Sequence, residues 1–303
     1  MAGSDPGPMV TGPPTGYPRP EGIGGLPITR RTAVAGLAAI FTTSAAATTL
    51  LAGHWGAVTG AAGVIVLGSG SALSVLIRTG RARFLIAAGD DPDAFDRAWA
   101  SVARPTAPRL DILLSAGSGA AAAVPEHVLR RRRPGTALAI VPPGVAARES
   151  ALAGEGVTTL RHSIRITLPG AVSVDVEPPV IPGDDRWHVV VGHGGSRVVI
   201  VPSLREMGQG TDQGGVSATV VLTGPRDEVA VVPGTGSLVV AATPRGTCPF
   251  EGARPVTDDD PAGDHDARLA WVIGEGDAIG ARFESGRVAF ERRGAWHLPT
   301  SPP

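Results

Sequence analysis

The chain of 303 residues contains no lysine and no asparagine, so all 27 of its basic side chains are arginines. Without lysine there is no phosphate-binding loop of the Walker type, no Schiff-base chemistry and no serine–lysine dyad. The single cysteine, Cys248, excludes an internal disulfide and any zinc site built from several cysteines. These absences remove several classes of enzyme before any motif is considered.

Aromatic residues are also scarce, at 4% of the chain, and the formal net charge is only −1. A chain with no overall positive charge has no field that would attract nucleic acid, so a nucleic-acid partner is not expected. Hydrophobic residues make up 43% of the sequence. That content is enough for one large folded domain or two smaller ones, so the bulk of the chain is expected to be globular.

The N-terminal region differs in composition from the rest of the chain. Residues 1–28 are dense in glycine and proline without any apolar period, which predicts a disordered tail. Arg30 and Arg31 then precede an uncharged stretch, residues 32–53, that is rich in alanine and threonine. This pattern is typical of a twin-arginine export signal. We therefore assign residues 29–55 to such a signal or to a membrane anchor.

Two other interpretations of the uncharged stretch stay open. About 20 uncharged residues can cross a bilayer, so the segment could be a retained membrane anchor; it could also be a buried alanine-rich helix. The protein is expected to be exported across the cytoplasmic membrane or anchored in it. The expected partner at this end is the twin-arginine translocation machinery, which would read Arg30 and Arg31, and contact with the membrane is an alternative.

From residue 61 onward, short apolar runs alternate with glycine and proline, as in a series of β-strands. A hairpin is predicted through Thr79 and Gly80, and most of the chain after residue 156 is predicted as strand. Residues 158–168 are predicted as one strand within that region.

Two helices are predicted between the strands of the first half. Residues 93–103 place Phe95 and Trp99 on one helical face. Residues 120–132 form the second predicted helix, and the four consecutive arginines of residues 130–133 suit a helix C-terminus through the helix dipole. An alternative role for this arginine run is a patch that binds anionic lipid or phosphate.

The stretch 109–133 carries the main likeness to a known family. A strand ending in Leu113-Leu114-Ser115, a small-residue turn, and a helix that contains Ala122-Ala123-Val124-Pro125 follow in order. This order resembles the metallo-β-lactamase superfamily, in which the corresponding strand leads into H-x-H-x-D-H. Here residues 116–121 are alanine, glycine and serine. None of these side chains coordinates zinc as imidazole or carboxylate does.

The second half is similar to the hydrolase-like domain of the competence DNA-uptake channel family. Residues 188–203 resemble that family's strand pair with its glycine-rich turn, but end in Pro202-Ser203 where the family has Gly-Asp. Residues 217–225 lack the family's paired histidines. The resemblance implies an α/β fold, a four-layered αββα sandwich of metallo-β-lactamase type over residues 61–298, together with one hydrophobic signal or anchor helix.

The expected function is that of a catalytically inactive protein of this type, acting as a binding or scaffold module for a protein or small-molecule partner. No catalytic, cofactor-binding or metal-ligating residue and no cofactor is expected. The alternative is a metal-dependent hydrolase with a remodelled zinc site. That site would use His188, His193, Asp264, His265 and Asp266. Two other interpretations compete with this zinc site. They assign His193 to a hairpin turn, and Asp264, His265 and Asp266 to a solvated loop.

Overall fold

The structure is a computed structural model that describes residues 62–80, 82–103, 109–116, 119–140, 156–179, 187–203, 216–223, 237–242, 250, 252–257, 269–284, 287–290 and 295–298. These residues form seventeen strands, two α-helices and a short 3-10 turn. The predicted tail, residues 1–28, and the predicted signal or anchor, residues 29–55, lie outside them. No helix in the described ranges is both long enough and apolar enough to cross a membrane.

Eight strands form the first sheet. Their bounds are β1 Gly63–Gly68, β2 Leu73–Arg78, β3 Arg83–Ala87, β4 Ile112–Ser115, β5 Thr136–Ile140, β6 Val157–Leu160, β15 Ala278–Glu284 and β16 Arg287–Phe290. The order across the sheet is β16-β15-β1-β2-β3-β4-β5-β6. Strands β16 to β3 pair antiparallel, and strands β3 to β6 pair parallel.

Nine strands form the second sheet. Their bounds are β7 Ile164–Leu168, β8 Val172–Glu177, β9 His188–His193, β10 Ser196–Val201, β11 Ala218–Val221, β12 Ser237–Ala241, β13 Arg254–Pro255, β14 Leu269–Ile273 and β17 Ala295–His297. The order is β13-β17-β14-β12-β11-β10-β9-β8-β7. Strands β10, β11, β12 and β14 are parallel neighbours, whereas the pairs on both flanks are antiparallel.

The chain changes sheets between β6 and β7. Strand β6 is the last strand of the first sheet and β7 is the last strand of the second. The single strand predicted over residues 158–168 is therefore wrong. Arg161, His162 and Ser163 are all exposed, and this polar triplet lets the chain leave one sheet and enter the other.

The two α-helices confirm the two that were predicted. Helix α1, Pro92–Val102, begins at Asp91, whose Oδ1 accepts hydrogen bonds from the backbone N–H groups of Asp93 and Ala94. Helix α2, Ala123–Arg132, follows a 3-10 turn over Gly119–Ala122 and ends in the arginine run. Both helices pack on the outer face of the first sheet, where Phe95 and Trp99 are buried.

The main core lies between the two sheets. Alternate residues of each strand point into it, as the two-residue period of a strand requires. Val64 and Val66 of β1 are fully buried there, as are Val174, Val189 and Ile200 of the second sheet. Full burial of one such side chain contributes roughly 1.5–3 kcal/mol, so this double layer of valine and isoleucine supplies much of the stability.

The predicted four-layered αββα sandwich is wrong. The described residues are mainly β-structure in two large mixed sheets, and both of their α-helices lie on the outer face of the first sheet. The second helical layer came from the family resemblance, because the two helices predicted from the sequence itself both lie before residue 133. The hydrophobic signal or anchor helix of the same prediction lies outside the described residues.

Candidate functional site

The loops that the sequence analysis compared with ligand-bearing loops, residues 116–121, 202–203 and 217–225, lie at the carboxyl ends of β4, β10 and β11. These strand ends, with that of the neighbouring β3, are therefore described first. Across this end, the backbone N–H of Leu73 donates to the carbonyl of Leu222 at 2.7 Å, and Ala72 forms a β-bridge with Thr223. The two sheets are thus joined by main-chain hydrogen bonds here. We call Ser69, Ser74, Ala88, Gly89, Ala116 and Leu222 together the strand-end region.

Two buried serines form the centre of the strand-end region. The Ser74 hydroxyl donates to the carbonyl of Ala88 at 2.8 Å and accepts from the Ala88 N–H at 3.2 Å and from the Ser69 hydroxyl at 2.9 Å. Both serines are 0% exposed. One donor and two acceptor positions exhaust what a hydroxyl can offer. Ser74 is therefore fully engaged in holding β2, β3 and the loop before β2 together.

Gly89 closes the same region from the helix side. Its N–H donates to the carbonyl of Ala121 at 2.9 Å, and its carbonyl accepts from the Val124 N–H at 3.0 Å. The backbone of Gly89 has φ 141°, and a Cβ placed on it would lie 2.3 Å from the Ser69 carbonyl oxygen. The turn before α2 is therefore bonded to the end of β3 through Gly89, and the loop before β2 leaves no room for a side chain at this position.

Hydrogen bonds also join the loops that follow β10 and β11 in the second sheet. The N–H of Leu222 donates to the carbonyl of Val201 at 2.9 Å, and the N–H of Thr223 donates to the carbonyl of Pro202 at 3.0 Å. The Thr223 hydroxyl donates to the same Pro202 carbonyl. These three hydrogen bonds hold the loops after β10 and β11 against each other.

The structure separates the two histidines of the alternative zinc site. His188 and His193 are five residues apart on β9, so their side chains point to opposite faces of the sheet. His193 has the parity of the buried Val189 and Val191, and its ring packs on Phe283 of the first sheet, 5.6 Å between centroids. His188 lies 3.1 Å from the carboxylate of Glu177 instead.

The rest of the alternative site cannot be placed beside these histidines. Asp264, His265 and Asp266 lie outside the described residues. Within the described ranges, no group of three or more His, Cys, Asp or Glu side chains is arranged to hold a metal ion. His193 does stand directly before the turn formed by Gly194 and Gly195, as the hairpin interpretation required.

A charged cluster between the two helices escaped the sequence analysis. Asp96 of α1 accepts hydrogen bonds from Arg131 and Arg132, and its Oδ2 lies 3.0 Å from His127 Nε2. A groove of about 440 Å³ opens beside it, lined by Pro92, Ala123, Glu126, His127, Arg130 and Arg131. The spacing of the basic residues on α2 could have suggested a shared face, but nothing in the sequence marked Asp96 as their partner.

Arg132 is held in this cluster by an aromatic neighbour as well as by Asp96. Its guanidinium lies 4.3 Å from the centroid of the Trp99 ring, a cation–π contact that is worth more when water is excluded. Burial lowers the pKa of Arg132, and the charge of Arg131 acts in the same direction, while the hydrogen bond and charge of Asp96 oppose the shift. Through these contacts with Asp96 and Trp99, the Arg132 side chain joins α2 to α1.

Comparison with known proteins adds little to this geometry. No family model and no curated protein matches the chain. Fourteen chains of solved structures match, and one of them is described as the peroxy diiron species of the chemotaxis sensor ODP. That match has 12% identity and a TM-score of 0.35, and covers 46% of this chain and 59% of the other. This chain therefore spans less than two thirds of that structure, and the likeness supports no argument about function.

Proposed function

We propose that this protein is a non-catalytic binding or scaffold module that is exported across, or anchored in, the cytoplasmic membrane. The composition and hydrogen bonding of the strand-end region support a non-catalytic role. At residues 116–121, 202–203 and 217–225, where the metallo-β-lactamase resemblance would put metal ligands, the chain has no histidine, aspartate or glutamate. Beside these positions, Ser69, Ser74 and Ala88 are bonded to one another. The proposal includes the resemblance to the metallo-β-lactamase superfamily: the loops of this chain are similar to those of that superfamily but lack its metal-binding side chains.

The physical argument concerns what a hydrolytic metal site needs. Catalytic zinc takes three protein ligands and keeps one position open to water. In the strand-end region the Ser74 hydroxyl and the Gly89 N–H and carbonyl already have partners. A ligand placed there would have to break these bonds and displace packed main chain, so the region supports folding and not metal chemistry.

Thermal unfolding with and without a chelator tests this proposal. A metal that binds only the folded state raises the melting temperature by mass action. We expect the melting curves of purified protein to coincide in buffer, in EDTA and in added zinc. A fall in melting temperature with EDTA that zinc restores would refute the proposal. It would favour a hydrolase with a site built from His193 or His188 and residues 264–266.

The location is tested separately by the arginine pair. Changing Arg30 and Arg31 to alanine should leave the protein in the cytoplasm, because the translocation receptor reads the paired guanidinium groups. The matched control changes Arg292 and Arg293 to alanine, which removes the same charge from another arginine pair. Export of both variants at the wild-type level would contradict the signal. Wild-type protein that stays with membranes after a carbonate wash would indicate the anchor.

A further inference from the structure

Strands β6 and β7 are edge strands at the same end of the double layer. Each is the last strand of its sheet, and only residues 161–163 separate the two in sequence. An edge strand presents a row of backbone N–H and C=O groups that can pair with a further strand. Within the ranges that the structure describes, no strand and no backbone hydrogen bond engages the outer side of β7.

The other edge strand of each sheet is protected from such pairing. Strand β13 has only two residues, and one of them is Pro255, which has no N–H to donate. Strand β16 is fastened to the second sheet, because the Ser196 hydroxyl donates to the carbonyl of Arg287 at 2.8 Å. The ring of Phe290 also packs on that of Trp271, 5.6 Å between centroids. Strand β7 has neither device, since it contains no proline and its five residues alternate regularly.

The side chains of β7 suit pairing with an identical strand. Three apolar residues face the main core: Ile164, Ile166 and Leu168. The two residues between them, Arg165 and Thr167, are exposed. Arg165 carries the one charge of the strand, and it donates two hydrogen bonds to the carboxylate of Asp175 on β8. Its charge is therefore compensated within the same sheet, so it does not oppose an approaching strand as a lone charge would.

Symmetry and charge select one register for this pairing. Two copies related by a two-fold axis perpendicular to the sheet pair antiparallel, with their core sides on the same side. Residues that face each other must then share a side of the strand. Centring the axis on Ile166 pairs all five residues of each strand. Ile164 then faces Leu168 of the second copy, and Arg165 faces Thr167. Centring the axis on Arg165 instead sets two arginines directly opposite each other, which is unfavourable.

We propose that β7 pairs with β7 of a second copy of this chain, antiparallel about Ile166. The pairing joins the two nine-stranded sheets into one continuous sheet and brings the apolar sides of both strands together. An edge of five residues makes a small contact, so the dimer should dissociate on dilution. This inference concerns assembly and depends neither on the non-catalytic role nor on the membrane location proposed above.

Disulfide cross-linking of the full chain tests the pairing and its register. Directly opposite residues of an antiparallel pair have Cα atoms about 4.5–5.5 Å apart, which a disulfide can span. In a Cys248→Ser background, we expect Ile166→Cys to give a cross-linked dimer when diamide is added as the oxidant. The matched control is Ile164→Cys, on the same side of the same strand. Its two copies would lie about 13 Å apart along the strands, so this variant should not cross-link.

Hydrogen exchange of the unaltered chain gives a second measurement that needs no substitution. The amides of a strand point alternately to its two neighbours. Alternate amides of β7, those that point away from β8, should therefore exchange more slowly as the protein concentration is raised, whereas the amides of β16 should not change. Association through the uncharged residues 32–53 would not produce this pattern, and it would not distinguish Ile166→Cys from Ile164→Cys.

Two results would overturn the inference. The first is equal cross-linking of Ile166→Cys and Ile164→Cys, or none in either, when circular dichroism shows that both variants are folded. The second is exchange of the β7 amides that does not depend on protein concentration, which would leave this edge to a strand of a different protein. Cross-linking of Ile166→Cys alone, together with protection of alternate β7 amides at high concentration, would support the dimer.

Discussion

Replacing Ser74 with alanine should destabilise the protein far more than the loss of one oxygen atom suggests. The change removes a hydroxyl that bonds to both backbone groups of Ala88 and to Ser69 in a fully buried place. A buried donor or acceptor left without a partner costs about 1–3 kcal/mol. With the Ala88 N–H and carbonyl both affected, we expect the free energy of unfolding to fall by about 2–4 kcal/mol.

The matched control is Ser71→Ala. The Ser71 hydroxyl makes one hydrogen bond of 2.8 Å, to Asp90, but this pair is exposed and water can replace it. We expect a loss of less than about 1 kcal/mol from this change. Urea denaturation of both variants, with unchanged denaturant slopes, gives the comparison. Equal losses for Ser71 and Ser74, or a loss below about 1 kcal/mol for Ser74, would refute the view that the hydroxyl network holds the strand ends closed.

Three further predictions concern other positions. Gly89→Ala should lower the free energy of unfolding in urea by more than about 3 kcal/mol, because the added Cβ would overlap the Ser69 carbonyl. Its control, Gly195→Ala, should lower it by about 1 kcal/mol. Nothing lies within 4 Å of a Cβ at Gly195, and only its φ of 86° is unfavourable. Arg133→Gly should raise the free energy of unfolding by about 0.5–1 kcal/mol in thermal melts, because Arg133 has φ 45°. His193→Ala should lower it by about 1 kcal/mol and His188→Ala by less than about 0.5 kcal/mol; the reverse order in urea denaturation would contradict the assigned faces of β9.

Local signals in the sequence were sufficient for several elements. Pro92 and the shared face of Phe95 and Trp99 predicted α1, which is observed at Pro92–Val102. The hairpin through Thr79 and Gly80 is also observed, between β2 and β3. In each case the determinant lies within a few residues of the element, so a pattern in the sequence is enough to find it.

Features set by distant parts of the chain could not be predicted in this way. The switch between sheets at residues 161–163 depends on which strands pair, and the apolar pattern of residues 157–168 does not reveal a change of partner. Asp96 meets Arg131 across 35 residues of sequence. The number of layers was taken from a resemblance, and a resemblance of loops does not determine how many helices cover a sheet.

Hydrogen exchange at the strand-end region tests the central claim most directly. Loops that bind substrates open locally at a small free-energy cost, whereas core amides exchange only when the whole protein unfolds. The amides of Leu73, Gly89 and Val124, each bonded to a carbonyl across this region, should therefore have exchange free energies equal to the free energy of unfolding in urea. The amide of Gly195 in the hairpin turn should exchange much faster. Exchange of Gly89 and Val124 several kcal/mol below global unfolding would contradict the account, because it would show that the region opens as an active site does.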